Sequence, residues 1–218
     1  KDRQLWYDYN GYDKEPLSTA TRIKFLLGHI IEELTLFLVR EAGHEVTMCQ
    51  EEVKVNGVKG HIDAMIDGEL VDVKSASPYG FRKFHNGSLK NDDPFGYIYQ
   101  ISSYAKALKK DAGYFLAVDK SNGFMTLLKT DVTDVNPEER IDQLKKTLND
   151  KEPPEKCYQP IEENNGNKKL AIGCKFCDFK TICWKDSNDG FGLRKFKYAS
   201  GDEYYTHVEK EPRVREDF

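Results

Sequence analysis

Hydrophobic spacing along this chain switches from helical to alternating near residue 45 and back again near residue 94. Residues 18–42 predict a long amphipathic helix. Ser18 or Thr19 can cap it and Gly43 can end it. Ile23, Leu27, Ile30, Leu34 and Leu38 form its apolar stripe, which the periodicity turns inward. Residues 46–55 then read as a strand. Asn56-Gly57 is a tight-turn signal and leads into a second strand over 58–66. Asp67-Gly68 is another, and the third strand of this meander ends at Ser75. Residues 76–93, rich in Gly, Pro, Asn and Asp, predict a long loop of the kind that lies beside functional sites. A helix over about 94–110 follows. Residues 113–119 and 124–129 make a hairpin, and a charged helix opens at Asn136-Pro137 and runs to about Leu148. Residues 1–16 predict an irregular lead-in. Pro153-Pro154 marks a boundary, so the expected domains are 1–154 and 155–218. The tail from Asp189 is charged and rich in Tyr, without a clear period. The order helix, meander, helix, strand pair is an α/β signature.

The Asp67-Gly68 turn has a chemical consequence. It pairs Ile66 with Glu69 and Ala64 with Val71, and it sets Asp63 opposite Asp72. Directly opposed like charges destabilise a sheet, unless a divalent cation lies between them. Lys74, two residues on, points to the same face, with His61 as its expected cross-strand neighbour. Ile62, Ala64, Ile66, Val71 and Val73 would fill the other face and hold the register. Solvated polar residues on a half-buried sheet would show the same alternation. Two acids converging beside a lysine favour a metal-dependent hydrolytic site.

Composition narrows the class without naming it. The chain has 218 residues, 39% apolar and 32% charged, which suits one sizeable domain with a small appendage. No apolar run approaches a membrane span and no secretory signal is visible, so a cytoplasmic location is expected. The net charge of -4 does not advertise a nucleic-acid binder. Phosphate contact needs only a local basic surface, and Arg22 with Lys24, Arg82 with Lys83, Lys109 with Lys110, and Lys145 with Lys146 are candidates. Four of the five cysteines, Cys157, Cys174, Cys177 and Cys183, fall in the last third. Their spacing favours a metal or cluster site over a disulfide framework.

In its ordered set of short segments the chain resembles the PD-(D/E)xK nuclease superfamily. The segments are Gly28-His29-Ile30-Ile31-Glu32, Gly60-His61-Ile62-Asp63, Asp72-Val73-Lys74 and Gln100-Ile101-Ser102-Ser103-Tyr104. Their order is similar to the RecB-type and lambda-exonuclease-like branches. The resemblance implies a restriction-endonuclease-like core, a mixed central sheet flanked by helices. It implies Mg²⁺ or Mn²⁺ held by Asp63, Asp72, the main-chain carbonyl of Val73 and Glu32. Lys74 would orient or deprotonate the attacking water, and Gln100 and Tyr104 would line the site. Two positions depart from the pattern: Ile62 stands where the superfamily's name has Pro, and Asp72 where Glu is more frequent. Periodicity alone favours Glu33 as the inward acid of the long helix, whereas the spacing from Gly28 favours Glu32.

The Cys174-x-x-Cys177-x5-Cys183 spacing is similar to the cysteine cluster of RecB-type nucleases of the CRISPR-adaptation and AddAB classes. It implies a [4Fe–4S] cluster. The fourth cysteine of those families usually precedes the nuclease core, and none precedes Glu32 here; Cys157, just upstream on the same module, is the natural fourth ligand. Four cysteines also suit structural Zn²⁺. Cys49 reads as a small core residue. The ending around residues 166–170 is similar to phage-encoded nucleases. The expectation is a metal-dependent phage DNA exonuclease of the host cytoplasm, working in recombination, repair or degradation. Its partners would be DNA and a recombination or single-strand-binding protein. Ser75, Arg82, Lys83 and Tyr104 would contact substrate, with Phe81 or Phe84 available to stack on bases. A site-specific or structure-specific endonuclease, and a non-catalytic DNA-binding subunit carrying the cysteine cluster, are the alternatives.

Overall fold

The computed structural model describes residues 1–217. The elements in chain order are α1 (Asp2–Tyr9), α2 (Thr19–Glu41), β1 (Val46–Thr47), β2 (Glu52–Val55), β3 (Val58–His61), β4 (Ala64–Ile66), β5 (Glu69–Ala76) and α3 (Pro78–His85). Then come α4 (Tyr97–Ala107), β6 (Ala112–Asp119), β7 (Met125–Asp131), α5 (Pro137–Leu148), β8 (Ile161–Glu162), β9 (Lys168–Lys169), α6 (Ile172–Lys175), α7 (Lys180–Cys183), β10 (Arg194–Tyr198) and β11 (Gly201–His207). The chain divides into two compact units, Ser18–Gln143 and Lys1–Leu17 together with the chain from Leu144 onward. These boundaries differ from the expected break at residue 154.

In the Ser18–Gln143 unit a five-stranded sheet has the order β1-β4-β5-β6-β7. Only β5 and β6 run parallel; the other neighbours are antiparallel. Helices α3 and α4 cover one face, where Leu70, Ala76, Phe115 and Ala117 meet Phe84, Ile98 and Ile101. Helix α2 covers the other face, where Leu36 packs on Ala64 and Val73. This is a mixed sheet flanked by helices, as the resemblance implies.

Both tight turns form as expected. Asn56 and Gly57 have φ of 45° and 81°, and Asp67 and Gly68 have φ of 50° and 79°, the left-handed pair that a two-residue hairpin needs. The single meander does not form. Residues 46–55 split into β1, which joins β4, and β2, which pairs with β3 in a separate two-stranded sheet. The break is local and legible in hydrogen bonds. Continuing the β4–β5 ladder would put Ile62 and Val73 in a bonded pair. Instead Ile62 N donates to Glu51 O, 3.1 Å away, and Val73 N donates to Asp63 Oδ2, 2.7 Å away. The Asp63 carboxylate thus takes the place of a ladder carbonyl. Two expectations fall with the ladder. His61 pairs with Glu52 and not with Lys74. Ile62 packs with Met65 and Leu70 in the cluster on the α4 side, not with Ala64 and Val73.

Helix α2 is capped by Ser18, whose Oγ accepts from Thr21 N at 3.1 Å. Its apolar stripe is turned outward, against expectation. Ile23, Leu27, Ile30, Leu34 and Leu38 are 42–53% exposed. The side that meets the sheet carries Gly28, Thr35 and Leu36 instead. A Cβ on Gly28 would stand 3.6 Å from Ser75 Oγ, an ordinary contact, so this turn of α2 lies against β5. Thr35 stays dry because its Oγ1 donates to Ile31 O at 2.6 Å.

The predicted loop over 76–93 contains α3 and a 3-10 turn at Leu89–Asn91. Ser77 caps α3 by accepting from Gly80 N at 3.2 Å, and Pro78 opens it. Phe84 is a buried core residue against Phe115, so it is not free to stack on a base. Asp93 caps α4 three times over, accepting from Gly96, Tyr97 and Ile98 N.

In the second unit the expected irregular start is helix α1, which buries Trp6 and Tyr7 beside Phe179. The tail forms strands, giving an antiparallel sheet of order β10-β11-β9-β8. Asn167, 1% exposed, ties this sheet to the terminal segment. Its Oδ1 accepts from Glu209 N and Lys210 N, and its Nδ2 donates to Lys210 O. Among the described residues no helix is long and apolar enough to cross a membrane.

Candidate active site

The hairpin β4–β5, helix α2 and helix α4 each deliver polar side chains to one region of the sheet. Asp72 sits in the middle of β5 and is 1% exposed. Lys74 Nζ stands 2.5 Å from Asp72 Oδ2. Even so, neither Asp72 oxygen has a partner in hydrogen-bonding geometry. Burial pushes the Asp72 carboxyl up to about 7; Lys74 opposes the shift, and Asp63 and Glu32 add to it. Asp63 is also raised by burial, against the Val73 N–H bond and the Lys74 charge that favour its ionised form. Glu32 is raised by burial and by Asp63. The three acids therefore feel one another. Among the described residues, no group of three or more His, Cys, Asp or Glu side chains is gathered tightly enough to hold a metal ion as it stands.

Glu32 is half-buried on the sheet-facing side of α2, whereas Glu33 is exposed. The choice between them follows from the inverted stripe: with Gly28 and Thr35 inward, Glu32 is inward too. Its Oε1 accepts from Gln50 Nε2 at 2.5 Å, and Gln50 N donates to Asp63 O at 3.2 Å. Gln50 thus links the two acids, and it does so with φ of 55°. Non-glycine residues enter that region rarely and at a cost of order 1 kcal/mol.

A second chain of contacts runs from β5 to α4. Lys74 Nζ donates to Gln100 Oε1 at 3.4 Å, and Gln100 Nε2 donates to the Tyr104 hydroxyl at 3.2 Å. Lys74 also lies over the Tyr97 ring, 4.9 Å from its centroid. Burial works against the ammonium, but Asp72 and then Asp63 outweigh it, and the Lys74 pKa is raised. A Cβ on Gly60 would come within 2.7 Å of the Tyr104 ring, so that glycine makes room for the end of this chain. Sequence reasoning missed Gln50, Tyr97 and the steric role of Gly60. Only Tyr97 had a readable signal, because it lies one helical turn before Gln100.

The expected substrate contacts are divided. Ser75 and Lys83 line, with Lys74, a cleft of about 420 Å³ that Tyr79 and Tyr97 also border. Lys83 is paired with Asp92 at 2.6 Å. Tyr104 lines a separate hollow of about 130 Å³ beside Gly60. Arg82 is exposed, 5.9 Å from the Tyr79 ring centroid. A larger hollow of about 590 Å³, bordered by Tyr99, Asp134 and Arg140, contains none of the acids.

In the second unit Cys157, Cys174, Cys177 and Cys183 line one small pocket. All five cysteines are free thiols, and Cys49 is exposed, not a core residue. Burial pushes the Cys174 thiol up to about 11, and the other three cysteines push it in the same direction. Arg3 Nε donates to Cys183 Sγ at 3.2 Å, and Lys156 lies 4.1 Å from the Trp184 ring centroid.

No protein-family profile and no curated protein matches the chain. Solved structures overlap it in part. The crystal structure of SSO0001 aligns with a TM-score of 0.47 at 16% identity, covering 84% of this chain and 80% of that one. An alkaline exonuclease from Laribacter hongkongensis, LHK-Exo, aligns with a TM-score of 0.37 at 13% identity, over 67% and 88% of the two chains. LHK-Exo in complex with dAMP gives 0.41 at 15% identity, over 67% and 79%.

Proposed function

We propose that this chain is a metal-dependent DNA nuclease of the PD-(D/E)xK kind that acts as an exonuclease, in the setting of phage DNA recombination, repair or degradation. The observation that carries the reading is Asp72. A carboxylate this deeply buried, with only the Lys74 ammonium to offset its charge and two further acids acting on it, is costly unless a second cation shares the site. Hard carboxylate oxygens suit Mg²⁺ or Mn²⁺. Glu32, Asp63, Asp72 and the carbonyl of Val73 would hold the ion. When bound, such an ion supplies charge neutralisation at the phosphoryl oxygens and a more acidic water.

The chain's own groups do the rest. Lys74 is held by Asp72, Gln100 and the Tyr97 ring, so its ammonium has one fixed position beside the cleft. From there the ammonium would orient the attacking water and offset charge on the phosphate; taking the water's proton would require Lys74 to lose its own first. Gln100 fixes Lys74 through Oε1 and is itself fixed by Tyr104. Gln50 holds Glu32 and the Asp63 main chain in place. Ser75, Lys83, Arg82 and Tyr104 are the proposed contacts to DNA.

The cysteine pocket is proposed to hold a [4Fe–4S] cluster, with structural Zn²⁺ as the competing occupant. What supports this is that the four cysteines line one pocket, with Arg3 and Lys156 near Cys183; burial holds Cys174, Cys177 and Cys183 above the usual thiol range, so binding would displace their protons. Brown protein favours the cluster; colourless protein favours zinc.

The test is digestion of end-labelled linear and circular DNA, single- and double-stranded, with Mg²⁺ or Mn²⁺ and with EDTA. Asp72→Asn should abolish cleavage while the protein remains folded, since it relieves a buried charge. Turnover unchanged by Asp72→Asn, or persisting in EDTA, rejects the site. Cutting of circular DNA replaces the exonuclease with the endonuclease reading.

A further inference from the structure

The outward face of α2 is a packing seam with nothing in its own unit to pack on. Ile23, Leu27, Ile30, Leu34 and Phe37 follow one another at steps of four, three, four and three. That is the 3.5-residue repeat of a helix paired with another helix. The seam lies on the opposite side of α2 from Gly28, Thr35 and Leu36, which meet the sheet. All five of its residues are 48–53% exposed, and Leu26 and Leu38 widen it at 58% and 42%.

We infer that this seam pairs with the same seam of a second copy of the chain, two-fold and antiparallel about Ile30. The inference stands apart from the nuclease reading and goes beyond it. Three observations fix the occupant. The seven side chains expose on the order of 600 Å² of apolar surface, at the upper end of the largest patch a typical monomer leaves. With a polar rim this approaches the roughly 800 Å² per partner of a stable interface. The rim charges are uneven: exposed Arg22 and Lys24 make the start of α2 basic, and toward its end exposed Glu33 and Glu41 outweigh exposed Arg40. Antiparallel pairing sets basic end against acidic end and opposes the two helix dipoles, whereas parallel pairing sets like against like. A two-fold axis also requires one self-complementary patch, which a single repeat centred on Ile30 provides. The mixed rim does not fit a membrane surface, which favours helices with a basic face.

Sedimentation velocity on the full chain, from nanomolar to tens of micromolar, tests the pairing. The expected result is a monomer–dimer equilibrium. Leu27→Glu with Leu34→Glu should leave a monomer that keeps its helical circular dichroism and its DNA cleavage. Arg22→Glu should weaken the dimer about tenfold, and Glu41→Arg added to it should restore the affinity. In a Cys49→Ser background, Ile30→Cys should give a covalent dimer with a short bismaleimide, whereas Thr19→Cys and the parent should not. A wild-type chain that stays monomeric, or that forms only trimers or larger species, overturns the inference. So does a dimer indifferent to Leu27 and Leu34, or one that cross-links Thr19→Cys as readily as Ile30→Cys. Failure here leaves the DNA-cleavage assay unaffected, so the two readings are tested separately.

Discussion

Asp72 and Lys74 form an ion pair whose ammonium is also held by Gln100 and the Tyr97 ring, whereas the carboxylate has Lys74 alone. The ammonium is 18% exposed and the carboxylate 1%, yet the carboxylate lacks a hydrogen bond. Removing one partner of such a pair leaves a buried charge behind, so each side chain constrains the other. Lys74→Ala is expected to slow single-turnover cleavage by about 100-fold or more and to change DNA affinity far less. Equal loss in the two measurements would make Lys74 a binding group only. At this scale Asp63, Asp72 and Lys74 were legible, because they flank a turn with a strong local signal. Glu32 was legible only through its spacing from Gly28. Gln50 was not legible: its role depends on a strand that breaks, and nothing local in residues 46–55 announces the break.

Among the elements, the hairpin β4–β5 owes its register to two residues in the left-handed region. Gly68 has φ of 79° and no atom within 4 Å of where a Cβ would sit, so a substitution there meets backbone strain alone. Gly68→Ala is expected to lower stability by about 1 kcal/mol, read from a urea midpoint shifted at constant slope. The same turn is braced by Asp67, whose carboxylate accepts from Glu45 N at 2.9 Å and contacts His44 Nδ1 at 2.6 Å. Helix α3 was hidden by composition: Gly, Asn and Pro read as loop, although Ser77-Pro78 is a sound helix start. In α2 the pattern itself was right and its meaning was inverted. Periodicity says which side chains share a face, but not whether that face meets the sheet or the outside.

For the molecule as a whole, the two units carry separate loads. The Ser18–Gln143 unit holds the acids and Lys74; the other holds the cysteine pocket, which stands beside its small clusters around Phe179 and Trp184. A cluster or metal that binds only the folded thiols would contribute folding free energy directly. Cys177→Ser should therefore lower the thermal midpoint by at least about 4 °C before it lowers cleavage per folded molecule. Activity lost with the thermal transition unchanged would assign the thiols to the chemistry.

Local information sufficed for the turns at Asn56-Gly57 and Asp67-Gly68, the pairing of Ala64 with Val71, and the cap at Ser18. Each of these follows from φ requirements or from the two-residue period of a strand, which neighbours along the chain express. Other features waited for the fold. They include the departure of Ile62 and Asp63 from the ladder, the direction in which α2 turns its apolar stripe, and the strands formed by the tail. The approach of Gln50 to Glu32 belongs with them. These depend on which surfaces compete for the same side chain, a long-range question of packing and hydrogen-bond satisfaction that spacing along a chain does not encode.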